Sequence, residues 1–283
     1  MIQPCLQHGA FLADVAQARE DRSRVHLWWL GQSGYLVQHP GGHLLIDPYL
    51  SDSLTQKYAG TDKPHVRMME LIVDPVKLSF IDVVTSSHNH TDHLDAHTLL
   101  PLRRVNPKMQ IVVPEANRNF VAARLDMDSA SLIGLDDGVA RHVGGVTVHG
   151  IPAAHDQLDQ DEHGHHRFMG YVIELPLPGG KNFTIYHSGD TLLFEGLAER
   201  LRRFEIDLAI LPINGRGPER RVAGNLWGRE AAALAKEINA KFALPCHYDM
   251  FTFNTATPDE FVNECERLKQ PYRVLLAGER LSF

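Results

Sequence analysis

Four histidines, His88, His90, His93 and His97, fall within ten residues, and the stretch Ser87-His88-Asn89-His90-Thr91-Asp92-His93 mixes imidazole with carboxylate. Neutral imidazole nitrogen and carboxylate oxygen are ligands for a divalent transition metal. Two histidines one residue apart point to the same side of an extended segment, so His88 and His90 can share one ion. Asp92 and His93 turn with the chain and can serve a second. Any one of the 17 histidines, taken alone, is ordinarily a surface residue or a hydrogen-bonded core residue. The pattern His-x-His-x-Asp-His behind an apolar run reverses that expectation. Ions held there would polarise a carbonyl and acidify water, which is hydrolytic chemistry.

Other polar segments weigh less. The stretch Gly215-Arg216-Gly217-Pro218-Glu219-Arg220-Arg221 follows an apolar run, and Arg216 in its glycine-flanked turn is the first choice for a cation that grips an anionic substrate group bidentately. A solvated surface loop is an equal reading of the same residues. The run Asp161-Glu162-His163-Gly164-His165-His166-Arg167 suggests a third metal site, but no regular pattern flanks it, and a mobile polar loop near the mouth is the preferred reading. Cys246 precedes His247, and because alternate strand residues face opposite ways it is expected in the core. Trp28 and Trp29 are expected to pack within the sheets.

The elements that position these residues follow from periodicity. Apolar runs at 25–30, 35–37 and 43–46, separated by Gly31, Gly34 and Pro40-Gly41-Gly42, read as an antiparallel meander. A loop-rich stretch covers 47–64, and the short run 81–85 delivers the chain to His88. Helices are expected at 94–104 and 116–125 around a strand at 110–113. The second half repeats the order, with strands near 146–151, 169–175 and 183–186, a helix near 193–203 and a strand at 208–211. A helix at 226–239 and a strand at 242–245 follow. Thr257-Pro258-Asp259-Glu260 then offers an N-cap, a first-turn proline and a capping-box glutamate for a last helix. The reading is one α/β domain over residues 1–283, built of two similar halves, each a sheet with outer helices.

Composition limits the function classes. The 283 residues are 43% apolar and 22% charged, which excludes disordered and fibrous readings. A net charge of −7, from 28 basic and 35 acidic residues, supplies no field for nucleic acid. No apolar run has the length of a membrane span and no signal-peptide layout opens the chain, so no membrane partner and a cytoplasmic location are expected. Cys5, Cys246 and Cys265 are odd in number and lack close spacing, which fits neither a disulfide framework nor a cysteine-type zinc site.

With the His88–His93 motif in place, the chain resembles the metallo-β-lactamase superfamily along nearly its whole length. That resemblance implies a four-layer αββα sandwich and further site residues: His155 in Ala153-Ala154-His155-Asp156, Asp190 in His187-Ser188-Gly189-Asp190-Thr191, and His247 in Pro245-Cys246-His247-Tyr248-Asp249. It implies two divalent ions, one on His88, His90 and His155 and one on Asp92, His93 and His247, bridged by Asp190. It also implies that Asp47, in Leu45-Ile46-Asp47-Pro48, orients a ligand from behind, and that Asp92 directs the attacking hydroxide or moves its proton. A turn carboxylate ahead of Pro48 is the plainer reading of Asp47.

Within the superfamily, Leu27-Trp28-Trp29-Leu30-Gly31-Gln32-Ser33-Gly34, Tyr186-His187-Ser188-Gly189-Asp190 and Pro245-Cys246-His247-Tyr248-Asp249 resemble the L-ascorbate-6-phosphate lactonase group. The resemblance implies a lactonase acting on a small anionic sugar-acid lactone, zinc or manganese as the metal, and a homo-oligomer. A phosphodiesterase of the N-acyl-phosphatidylethanolamine phospholipase D type is the alternative, an iron oxidoreductase is weaker, and a metal-stabilised binding protein is the non-enzymatic rival.

Overall fold

A computed structural model describes residues 1–283, Pro218 by its backbone alone. The chain opens with helix α1 (His8–Ala18) and the meander β1 (His26–Gly31), β2 (Gly34–His39) and β3 (Gly42–Ile46), paired antiparallel. After the short α2 (Ser53–Lys57), strands β4 (Val83–Thr85), β5 (Gln110–Pro114) and β6 (Ile133–Leu135) continue the sheet in parallel, with α3 (Ala96–Val105) and α4 (Arg118–Leu125) between them. The second half rebuilds this plan. Strands β7 (Ala140–Val143), β8 (Val146–Pro152), β9 (Met169–Pro176) and β10 (Asn182–His187) form a meander. Beyond α5 (Leu197–Leu201), β11 (Leu208–Pro212) and β12 (Phe242–Cys246) add in parallel around α6 (Gly228–Glu237). Helix α7 (Asp259–Leu268) packs on α6, and β13 (Arg280–Ser282) returns to pair with β1.

The two sheets have seven and six strands. Their inner faces share one apolar core. Hydrogen bonds cross between them, from the Tyr35 hydroxyl to the Pro245 carbonyl at 3.1 Å and from the Tyr171 hydroxyl to the Ser86 carbonyl at 3.0 Å. Buried polar groups of this kind must find partners, so they fix the register of one sheet on the other. Every residue of β1, β2 and β11 is buried, as expected of strands covered on both faces.

Three local expectations change. Strand alternation sends only Trp29 between the sheets, where it stacks on Tyr248 at 4.2 Å. Trp28 faces outward under α1, donating to Asp14 at 2.8 Å. At α7 the Thr257 hydroxyl donates to the Asp259 side chain at 2.7 Å, and Pro258 occupies the N-cap without a side-chain cap. The helix expected at 193–203 shrinks to α5 because the Leu192 amide is tied to the Ala154 carbonyl at 2.8 Å and Gly196 turns the chain at φ 86°. No helix among the described residues is long and apolar enough to cross a membrane.

Candidate metal centre

Asp47 follows β3, His88 lies just past β4, His155 past β8, Asp190 past β10, and His247 follows β12. These five strands run the same way within their sheets, so their carboxyl ends deliver side chains to one edge of the sandwich, the usual location of sites in open α/β sheets. The exit from β10 is tight. Gly189 has φ 59°, and a Cβ there would stand 2.7 Å from the Met169 carbonyl oxygen and from the Ser87 Cβ, so only glycine lets Asp190 and His88 approach.

The ligand atoms of His88, His90, His155 and Asp190 all lie within 4.8 Å of one another, and so do those of Asp92, His93 and His247. Asp190 stands between the two groups. Its Oδ1 is 3.4 Å from His93 Nε2, and its Oδ2 is 3.3 Å from His247 Nε2 and 3.7 Å from His155 Nε2. Asp92 Oδ2 lies 3.5 Å from His93 Nε2 and 3.6 Å from His247 Nε2. The Nε2 atoms of His88 and His93 and Oδ1 of Asp190 are buried with no hydrogen-bond partner. An orphaned buried polar atom costs about 1–3 kcal/mol, so three of them converging on one place fit a cation that takes their lone pairs.

The opposite ring nitrogens are spoken for. His93 Nδ1 donates to Asp47 Oδ2 at 2.6 Å, and His155 Nδ1 to the Gly224 carbonyl at 2.8 Å. Asp47 also accepts from the Ser87 amide at 2.9 Å and from the Ser87 hydroxyl, whose oxygen lies 3.0 Å from His88 Nδ1. A serine oxygen that has given its proton to Asp47 accepts the His88 ring N–H. With Nδ1 so engaged, each of the three imidazoles has its Nε2 turned inward, the arrangement that outer hydrogen bonds impose on metal-binding histidines. Phe168 packs on His88, His90 and His155 with ring centroids at 5.2, 6.1 and 5.4 Å. Gln32 donates to Asp92 Oδ2 at 2.8 Å, and its carbonyl accepts the His247 amide at 3.1 Å.

Electrostatics favour positive charge here. Burial pushes His88 well below its ordinary range, with His93 and His90 pushing the same way, and burial brings His90 to about 4; both rings are neutral at pH 7. Burial would also lower His93, but Asp190, Asp92 and Asp47 outweigh it and hold that ring well above its usual value. The carboxyls of Asp92 and Asp190 stay well below theirs despite burial, held there chiefly by His93 and His247. Three carboxylates converging on His93 are a demand for a cation.

A cavity of about 270 Å³ opens on Asp92, Asp190, His90, His155 and His247. Its outer wall comes from two segments that the sequence reading left as loop or unassigned: residues 54–65, with Lys57, Tyr58 and Lys63, and residues 251–254, with Phe251 and Phe253. The segments are pinned together by bonds from the Thr252 amide to the Val66 carbonyl at 2.9 Å and from the Met68 amide to the Met250 carbonyl at 2.8 Å. No local motif announces this wall. Ser87, Gln32 and Gly224 lie in or beside the motifs, yet only through-space partners reveal what they do.

Arg216 is not in this wall. Its guanidinium is clamped by the Glu230 carboxylate at 2.6 and 2.8 Å, and the same Glu230 accepts the Trp227 amide at the start of α6. The expected anion anchor is thus an internal ion pair that ties the 215–226 segment to α6. The 161–167 segment is also not at the mouth. Asp136 binds the His166 ring at 2.7 Å, and Asp161 accepts the His163 and His165 amides at 2.9 Å each. It packs beside Glu115, Arg118 and Ser129. Cys246 is buried with its Sγ 3.8 Å from the Ser33 hydroxyl, outside both ligand groups.

Known proteins resemble this chain in sequence and in fold. A UPF0173 metal-dependent hydrolase of Myxococcus xanthus is 26% identical over 276 residues, covering 95% of this chain and 86% of its own. The solved structure of Igni18, a metallo hydrolase from the archaeon Ignicoccus hospitalis, superposes with a TM-score of 0.66 at 23% identity, over 92% of this chain and 98% of that one. An isothiocyanate hydrolase from Delia radicum gut bacteria superposes with a TM-score of 0.70 at 20% identity, over 91% and 99%. The profile of the beta-lactamase superfamily domain matches residues 43–248, from β3 to the residue after His247, and the chain therefore belongs to that superfamily, in its metallo-β-lactamase fold.

Proposed function

We propose that the protein is a metal-dependent hydrolase that opens a small anionic lactone or carboxylic ester, using two divalent ions, zinc or manganese. The observation that carries this reading is the set of orphaned buried atoms, His88 Nε2, His93 Nε2 and Asp190 Oδ1, with Asp190 also lining a cavity beside His90, Asp92, His155 and His247. His88, His90 and His155 would hold one ion, Asp92, His93 and His247 the other, and Asp190, lying between the groups, would touch both. Ions held there supply an electrophilic centre and acidify water near neutral pH.

The remaining steps belong to the protein's own side chains. Asp47 and Ser87 keep His93 and His88 in the tautomer that leaves Nε2 free. Asp92 is the ligand carboxylate with the greater side-chain exposure, 16% against 4% for Asp190, which supports a role for it in orienting a water and moving its proton. Gln32 steadies Asp92 Oδ2 and leaves Oδ1 for that role. Neutral His88 and His90 add no repulsion toward a divalent cation.

The test is a screen of purified protein, stripped by chelator and reloaded with zinc or manganese, on charged lactones, neutral lactones and bis(p-nitrophenyl) phosphate. Metal-dependent opening of the charged lactones is expected. A preference for the phosphodiester would move the reading to the phosphodiesterase alternative, and turnover that persists without metal would overturn it.

A further inference from the structure

The centre accounts for the floor of the cavity but not for its outer wall. Apart from the carboxylates of Asp92 and Asp190, the charged side chains lining the cavity are Lys57 and Lys63. Neither forms an ion pair among the described residues. Asp62, the acidic neighbour of Lys63, is taken by Arg221. The Lys57 ammonium lies 3.4 Å from the Thr91 hydroxyl, within the ligand loop itself, and the Lys63 ammonium donates to the Arg221 carbonyl, next to the lining residue Val222. Each ammonium has three donors and is shown using one, so both retain donors for an anion.

The same wall carries aromatic rings. His65 stacks on Tyr58 at 4.5 Å and 28°, and meets Phe251 and Phe253 at 5.3 and 5.1 Å. The His65 ring is fixed by its Nδ1, 2.8 Å from the Lys63 carbonyl, and the Thr55 hydroxyl binds the His65 carbonyl at 2.7 Å. These rings pack on one another and leave no slot between them, but together they line the cavity as a continuous apolar surface on which a flat aromatic body can lie.

We infer that Lys57 and Lys63, set in the aromatic wall of Tyr58, His65, Phe251 and Phe253, form the specificity subsite, and that it selects substrates in which a carboxylate is carried on a planar unsaturated or aromatic body. The inference rests on the hydrolase reading above and refines its substrate. It moves the anion anchor from Arg216, which Glu230 neutralises, to two lysines far from it in sequence.

Three esters separate the parts: 4-acetoxybenzoate carries both ring and charge, phenyl acetate the ring alone, and 4-acetoxybutyrate the charge alone. Each variant is compared with wild type on the same ester at equal metal content. In the double variant Lys57→Gln/Lys63→Gln, the ratio of kcat/KM for 4-acetoxybenzoate over phenyl acetate should fall about ten- to a hundredfold, the value of one or two charge-assisted contacts. Phe253→Ala should cost about three- to tenfold more on 4-acetoxybenzoate than on 4-acetoxybutyrate. Calorimetric binding of 4-hydroxybenzoate to the metal-loaded protein should weaken in the lysine variant. An unchanged ratio, or unchanged 4-hydroxybenzoate binding, overturns the subsite. If none of the esters is cleaved while 4-hydroxybenzoate binds wild type and not the lysine variant, the hydrolase reading fails and the subsite stands.

Discussion

Two short segments carry almost the same chemistry. Residues 88–93 contain His88, His90, His93 and Asp92; residues 161–166 contain His163, His165, His166, Asp161 and Glu162. In the first, His88 and His93 are buried and their Nε2 atoms have no hydrogen-bond partner. In the second, the His163 side chain is 71% exposed, and each imidazole lies near a carboxylate: Glu162 for His163, Asp161 for His165 and Asp136 for His166. The difference teaches that histidine density does not make a metal centre. What makes it is a strand end that buries the rings, and outer acceptors that use up Nδ1 so that Nε2 is left over.

The strongest way to break the comparison is Asp190→Ala. This carboxylate lies near both ligand groups, so its removal should reduce bound metal from the proposed two ions per chain to fewer than one and cut kcat/KM by more than the ~100-fold that bounds outer-sphere losses. Elemental analysis and kinetics read both effects, and full metal content in this variant would dissolve the distinction between the two segments.

A matched pair sharpens it. Asp47 accepts His93 Nδ1 at 2.6 Å and Asp136 accepts His166 Nδ1 at 2.7 Å, nearly the same bond in the two settings. Asp47→Asn should weaken metal affinity about ten- to a hundredfold, whereas Asp136→Asn should leave it within about twofold. Metal titration against a competing chelator measures both. Equal effects would mean that Asp47 supports the fold rather than the site.

A third pair shows what burial does to histidine away from either segment. His39 and His43, at the β2–β3 turn, are pushed from 6.5 to about 4 by burial. Their folded values lie below the unfolded one, so between pH 6.5 and 4 the unfolded chain binds more protons and stability falls as acid is added. The loss should approach about 1.4 kcal/mol per pH unit for each ring in that window and be complete below about pH 4. Urea midpoints of wild type and His39→Gln at pH 7 and pH 5 should show a shallower fall in the variant; parallel slopes would contradict it. The smallest expected effect is that of His163→Gln/His165→Gln, whose metal content and thermal midpoint should match wild type.

Much of the frame was legible because it is written in local periodicity. The meander at β1 to β3, the parallel strands β4, β5, β11 and β12, and the motif that leaves β4 all follow from apolar runs bounded by glycine and proline. Helix α1 was equally readable, with Phe11, Val15 and Ala18 buried at i, i+4 and i+7, although the sequence reading assigns no element before residue 25. The cap of α7 was misread because Thr257 and Pro258 fit a common signature while the threonine hydroxyl found the Asp259 side chain instead.

The sequence by itself determined that residues 88–93 carry a metal-binding pattern just past an apolar run, since ligand identity and short spacing are properties of a residue and its near neighbours, while His155, Asp190 and His247 were pointed to by resemblance to a known family. Only the tertiary structure decided which cations are free to meet a substrate. Arg216 and Glu230 are fourteen positions apart, and Lys57, Lys63, Phe251 and Phe253 come from segments nearly two hundred residues apart. Whether a charge is neutralised or exposed depends on what packs against it in space. That pairing is set by the closing of one sheet on the other, which no window of sequence contains.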